Sequence, residues 1–115
     1  MAEYRLSPAA EYELEDIWLY TYHQWSEEQA NHYIDMLTAA FVELAGAPMI
    51  ATACDHIRPG YRRYHVGRHV IYFRITPYDI AIIRILHDYG SFASSADGRA
   101  EAYGLGGRDG GVKQL

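Results

Sequence analysis

From Tyr61 to His87 the chain reads YRRYHVGRHVIYFRITPYDIAIIRILH, and this stretch restricts the fold more than any other. Three runs, Tyr61 to Val66, His69 to Ile75 and Asp79 to His87, are dense in Val, Ile, Tyr and Phe. Such branched and aromatic side chains suit a pleated, half-buried surface. Gly67-Arg68 is a two-residue connection with glycine first, able to take the positive φ of a tight hairpin turn, and Thr76-Pro77-Tyr78 fits the second connection. Connections this short join antiparallel neighbours, since a parallel pairing needs a long crossover. The stretch predicts an antiparallel meander.

The residues before it predict helices. Glu3 to Ser7 alternates as a short strand with Tyr4 and Leu6 on one side. Ser7 then serves as an N-cap and Pro8 as the first helical residue, where its missing N–H costs nothing. Ala10, Leu14, Ile17, Trp18 and Tyr22 recur at three- and four-residue spacing, while Glu11, Glu15 and Asp16 face elsewhere, and the helix should end between His23 and Trp25. Ser26 followed by Gln29 matches a capping box, so a second helix starts almost at once. Its stripe is Ala30, Ile34, Leu37, Phe41 and Leu44, and it stops near Gly46 and Pro48. Met49 to Gly60 has no clean period and carries the turn signal Pro59-Gly60.

The expected architecture is α+β in the order β-α-α-β-β-β, with a helix hairpin packed on one face of a small antiparallel sheet. At 115 residues the chain has room for one compact domain, taken as residues 1–87, followed by an atypical Gly-, Ala- and Ser-rich tail, 88–115, with little apolar period.

Charge is divided along the chain. Residues 1–55 set one basic side chain against ten acidic ones, a net of −9, whereas residues 56–87 set six arginines against Asp79, a net of +5. Two surfaces of opposite character are implied, one suited to a basic partner segment and one to phosphate or a carboxylate-rich protein. The plainer alternative for the acidic helices is simple solvation. The overall net charge of −5 disfavours a nucleic-acid binder.

Strand alternation places Ile71, Phe73 and Ile75 on one face and Val70, Tyr72 and Arg74 on the other. In the last run, Ala81, Ile83, Ile85 and His87 alternate with Ile80, Ile82, Arg84 and Leu86. An arginine is seldom buried unless paired, so Arg74 and Arg84 mark the face turned away from the helices, with Arg62 a candidate to join them. On this reading the far face is uncovered, studded with arginine, and offers Tyr64 and Tyr72 as flat contact area. The alternative is that its arginines pair with acids of the helices or tail.

Several chemistries find no support. The single Cys54 has no internal disulfide partner, no signal-peptide core follows Met1, and no apolar run approaches the roughly 20 residues of a membrane span, so a cytoplasmic location is expected. His65 and His69 are separated by a hairpin turn, and nothing at suitable spacing completes a metal site. Cys54, beside Asp55 and His56, has no placed base and reads as incidental. GLGGRDGG lacks the Lys-Ser/Thr of a nucleotide loop. No metal and no cofactor are expected.

The segments YRLSPAAEYELEDIWLYTYHQWSEEQANHYI, CDHIRPGYRRYHVGRHVIYFRI and IIRILH, in this order, resemble ParE toxins of type II toxin–antitoxin modules, within the ParE/RelE superfamily. The likeness covers residues 4–87. It implies a growth-arresting toxin that inhibits DNA gyrase by binding, and a ParD-like antitoxin that wraps it in a hetero-oligomer, without direct nucleic-acid contact. Trp18, Tyr22 and Tyr33 are then candidate antitoxin anchors, with Arg58, Arg62 and Arg63 as polar contacts. Arg74, Arg84 and His87 are candidates for the target. The plainer alternative for Trp18 and Tyr22 is that both belong to the core. Family members usually continue past the last strand with a short polar segment like QRMD and a terminal HL; here Asp88-Tyr89-Gly90 opens the long tail instead.

Two rival functions follow. A RelE-like nuclease, cleaving mRNA on the ribosome, would need a base, an acid and a cation around the phosphate, for which Arg74, Arg84, His87 and Tyr89 are the candidates. The single lysine, Lys113, and the acidic total weigh against it. The altered tail supports the other rival, a toxin-fold module that still binds antitoxin but has lost toxicity.

Overall fold

The computed structural model describes residues 3–88. Tyr89 and the rest of the expected tail beyond Asp88 lie outside the described residues. The chain order is β1 (Tyr4–Leu6), α1 (Pro8–Gln24), α2 (Glu27–Gly46), a 3-10 turn (Pro48–Ile50), β2 (Thr52–Ala53), β3 (Tyr61–Val66), β4 (His69–Ile75) and β5 (Ile80–His87).

Both helices start where their caps dictate. Ser7 holds extended backbone and its Oγ accepts from the Ala10 N–H at 3.0 Å, with Pro8 in the first helical turn. Ser26 does the same for Gln29, also at 3.0 Å. The helices bury Ala10, Ile17, Ala30, Leu37, Ala40, Phe41 and Leu44. Most of these pack with Ile71, Phe73, Ile80, Ile82 and Ile85 of the sheet as one core. Each large side chain so buried stabilises the fold by about 1.5–3 kcal/mol before conformational entropy is counted.

The α+β plan and the β3-β4-β5 meander are as expected, and the sheet is larger than the meander. Its five strands are ordered β1-β5-β4-β3-β2. β1 lies parallel to β5, with Tyr4 opposite Ile80 and Leu6 opposite Ile82, because the helix hairpin carries the chain across the sheet between them. The two-residue β2 pairs antiparallel with β3. The sheet is therefore mixed.

Strict alternation fails in β5. Tyr72 faces Arg84 but Phe73 faces Ile82, so Ile83 is an extra residue in a β-bulge. The bulge reverses the parity of everything before it. Ile80 and Ile82, expected beside Arg84 on the far face, instead turn into the helix-side core with Ile85, and Ala81 takes the far face. A second correction concerns β3. Its register sets Arg62 opposite Phe73 and Tyr64 opposite Ile71, so both lie on the helix side, and Arg63 and Tyr61 occupy the far face opposite Tyr72 and Arg74. Two adjacent arginines must point to opposite faces, and only the hairpin register decides which goes where.

The far face is also not uncovered. The segment between β2 and β3 folds over it, and Cys54, Val70 and Tyr72 form a second small core with Ile57, Tyr61 and Leu86 against them. Gly60, at φ +84, donates its N–H to Asp55 Oδ1 and closes this cover.

Candidate functional site

The sequence-predicted residues fall into three neighbourhoods. In the first, Trp18 and Tyr22 of α1 stack with ring centroids 5.2 Å apart and planes 7° off parallel. Trp18 Nε1 donates to Asn31 Oδ1 of α2 at 2.9 Å. Trp18 is half-buried, Tyr22 is exposed, and neither belongs to the core, so the core reading of this pair is corrected. They lie where the two helices meet.

The second neighbourhood is the β3–β4 hairpin end. The Tyr33 hydroxyl of α2 accepts the Arg68 N–H at 2.9 Å and lies 2.7 Å from His69 Nδ1. Burial, helped by His87 and Arg68, pushes the His69 imidazole down to about 3, so the ring is neutral near pH 7 and Nδ1 is free to accept the hydroxyl proton. Burial raises Tyr33. The clamp requires glycine at the turn: Gly67 has φ +59, and a Cβ there would sit 2.7 Å from the Tyr33 hydroxyl oxygen. His87 packs edge-on against His69, centroids 5.2 Å apart, and burial lowers it too. On the far face, His65 Nε2 meets Asp88 Oδ2 at 2.7 Å, and the Asp88 N–H donates to the Arg68 carbonyl, also at 2.7 Å.

The third neighbourhood holds the arginines. Arg58 and Arg74 are exposed. Arg63 lies beside Tyr72, whose phenol is pushed up by burial and held back in part by that guanidinium. Arg62 Nη1 donates to the Ala51 carbonyl at 2.7 Å. Arg84 reaches around the edge of β5 to Glu13 of α1, with Nε and Nη2 on Glu13 Oε2 at 2.7 and 2.6 Å. Glu13 Oε1 accepts the Ile85 N–H at 2.7 Å. The carboxylate thus occupies the edge of β5 beyond the last residue that β1 pairs with. Burial raises the Glu13 pKa, against the lowering by Arg84 and Ile85. For Arg84 the reading in which a helix acid pairs with it holds.

Arg74, Arg84 and His87 do not converge. His87 lies opposite His69 on the helix side, whereas Arg74 lies opposite Ala81 on the far face, about 17 Å further along β4 at the usual rise per residue. Tyr89 lies outside the described residues. Glu13 was missed by sequence reading, though a signal existed. It stands between the core positions Ala10 and Ile17, and an arginine inside the apolar run IAIIRILH needs a partner.

The chain is a small α+β protein: a helix hairpin with aromatic side chains at its crease, and Arg63 and Arg74 on the opposite side of the sheet. The model of the ParE toxin of type II toxin-antitoxin systems, parDE, matches residues 4–89. Toxin ParE1 of Mycobacterium tuberculosis is 44% identical over 87 residues, 75% of this chain and 89% of that protein. Toxin ParE1 of Caulobacter vibrioides is 39% identical over 87 residues, 76% of this chain and 90% of that protein. The chain belongs to the ParE toxin family. Its fold is shared with a chain in the structure of the chromosomal ParDE TA system from P. aeruginosa, at TM-score 0.67 and 18% identity, covering 76% of this chain and 96% of that one.

Proposed function

We propose that this protein inhibits DNA gyrase by stoichiometric binding, without catalysis of its own, and is neutralised by a ParD-like antitoxin encoded beside it. The observation that carries this reading is the family match over residues 4–89, joined to curated toxins at 39–44% identity over nearly their full length. The geometry agrees with binding. Of the residues that a nuclease mechanism would use, Arg84 is held by Glu13 and Arg74 lies on the other face from His87. The exposed arginines, Arg58, Arg68 and Arg74, offer cations to a partner. Arg74, with Arg63 near it, is the proposed target contact. No helix among the described residues is long and apolar enough to cross a membrane.

The test is supercoiling by purified gyrase with increasing amounts of this chain, followed by its antitoxin. Inhibition that the antitoxin relieves supports the proposal. Arg74→Glu, at an exposed position, should weaken inhibition roughly tenfold with the fold intact, as expected for one charged contact of about 1.4 kcal/mol. A folded, antitoxin-binding chain that leaves gyrase untouched would refute it, and ribosome-dependent mRNA cleavage would then be assayed.

A further inference from the structure

The anchors expected from the sequence are largely engaged within the protein: Trp18 with Asn31 and Tyr22, Tyr33 with the hairpin end. Beside Tyr22, which is exposed though stacked on Trp18, α1 leaves three other large side chains to solvent. Tyr12 and Tyr20 are each 65% exposed and Leu19 is 48% exposed. They stand at i, i+7 and i+8: Tyr12 and Leu19 share the side of the helix opposite the face that carries Ala10, Leu14 and Ile17 into the core, and Tyr20 flanks them about a quarter turn away. Between them, one turn from each, lie Glu15 and Asp16, with Glu11 at the border. α1 carries no Lys or Arg. An exposed apolar stripe fringed by carboxylates, on a helix whose other side is already satisfied, is a docking face without its occupant.

Charge decides between occupants. A second copy, docked symmetrically, would set Glu11, Glu15 and Asp16 against themselves. Residues 89–115 carry three basic against three acidic side chains and offer no net complement. We infer that the outer face of α1 receives a basic amphipathic segment of the antitoxin, with apolar side chains on Tyr12, Leu19 and Tyr20 and Lys or Arg on Glu15 and Asp16. This rests on the antitoxin reading above and deepens it. It moves the anchor from the crease between the helices to the outer side of the first, and it states the sign of the segment's charge.

The test uses the full chain and its Glu15→Lys/Asp16→Lys variant, with two dye-labelled amphipathic peptides that share one pattern of leucines. One peptide carries lysine beside the leucines and the other glutamate. The wild-type chain should bind the lysine peptide at least about tenfold more tightly, the preference should shrink with added salt, and the variant should reverse it. Leu19→Ser/Tyr20→Ser, which keeps every charge, should weaken the lysine peptide by a similar factor, and circular dichroism should show both variants folded. Equal binding of the two peptides, or a lysine preference that survives the charge reversal, overturns the inference. The protein encoded by the adjacent gene is then titrated against the same chains. If it binds wild type and Glu15→Lys/Asp16→Lys alike, the α1 face is the wrong site while the antitoxin reading stands. If it fails to bind the wild type, that reading itself falls. Binding lost selectively in the reversal variant supports both.

Discussion

Replacing Glu13 with alanine should be among the most damaging single changes in the domain. Its carboxylate takes three short hydrogen bonds, two from Arg84 and one from the Ile85 N–H. The side chains of Glu13 and Arg84 are only 16% and 20% exposed. Removing one partner of a buried ion pair costs about 3–5 kcal/mol, because the remaining charge keeps its desolvation penalty. With about a fifth of each side chain still reaching water, the lower end applies, near 3 kcal/mol. At 4–8 °C per kcal/mol for a domain of this size, the melting temperature should fall by about 12–24 °C. Replacing both partners by apolar side chains of similar volume, Glu13→Leu with Arg84→Met, should recover at least half of the loss. The pH dependence has a definite sign. Burial lifts the Glu13 pKa above 4.5, so the folded protein holds that proton more tightly than the unfolded chain. The stability this contributes is present below the unfolded value and is lost as pH rises through the folded one. Acidification from neutrality should therefore not destabilise the protein through Glu13, in contrast to an ordinary ion pair. Thermal melts of wild type, both single variants and the double variant test the reasoning. A Glu13→Ala protein within about 0.5 kcal/mol of wild type, or a double variant worse than either single one, would refute it.

Three further outcomes follow from the hairpin end. Gly67→Ala should cost about 2 kcal/mol or more, from positive-φ strain and the 2.7 Å approach to Tyr33, and denaturant melts should show less than additive loss when Tyr33→Phe is added. Tyr33→Phe alone should cost about 1–1.5 kcal/mol and speed exchange of the Arg68 amide proton. His69, pushed down from 6.5 to about 3, contributes stability that is complete above 6.5 and drains as pH falls toward 3, about 2 kcal/mol by pH 5. His87, Arg68, Asp88, His65 and Tyr33 all face or influence this ring, so the readout is the difference in melting between wild type and His69→Gln from pH 7 to 5. A pH profile that His69→Gln leaves unchanged would contradict the assignment.

The helices, their serine caps and the Gly67 turn were legible because each is fixed by near neighbours in sequence: a hydroxyl three residues from an orphan N–H, a missing Cβ at a positive φ. The meander was legible for the same reason. What escaped the sequence depends on distant partners. The parallel seat of β1 is set by residues on β5, and the two-residue β2 is too short to show a period. The bulge at Ile83 sits in an unbroken apolar run, IAII, where either parity places isoleucine inward and nothing local marks the slip. The arginines show the limit most plainly. Their rarity in cores correctly sent Arg74 and Arg84 away from the helix side, yet adjacency left Arg62 and Arg63 undecided, and the partner of Arg84 lay 71 residues away. Among the candidate anchors, aromatic character is visible in the sequence and engagement within the chain is not, since the bonds of Trp18 and Tyr33 form only in the folded chain.

The serine that starts α1 also imposes an order in time. Its Oγ accepts from Ala10 and donates to the Ile83 carbonyl, across 76 positions of chain. β1 likewise has no partner until β5 exists. On the ribosome the first strand and the first helical turn are made before the other described elements, but they gain their seats only after β5 has emerged. Local helix pairing and the β3–β4 hairpin can precede closure; the sheet itself closes last, by a contact of long sequence separation, the slowest kind to form. A nascent chain stalled before Ile80 has no completed sheet and lacks the strand on which β1 and Ser7 are seated. The interval between synthesis and a closed sheet is thus written into the strand order.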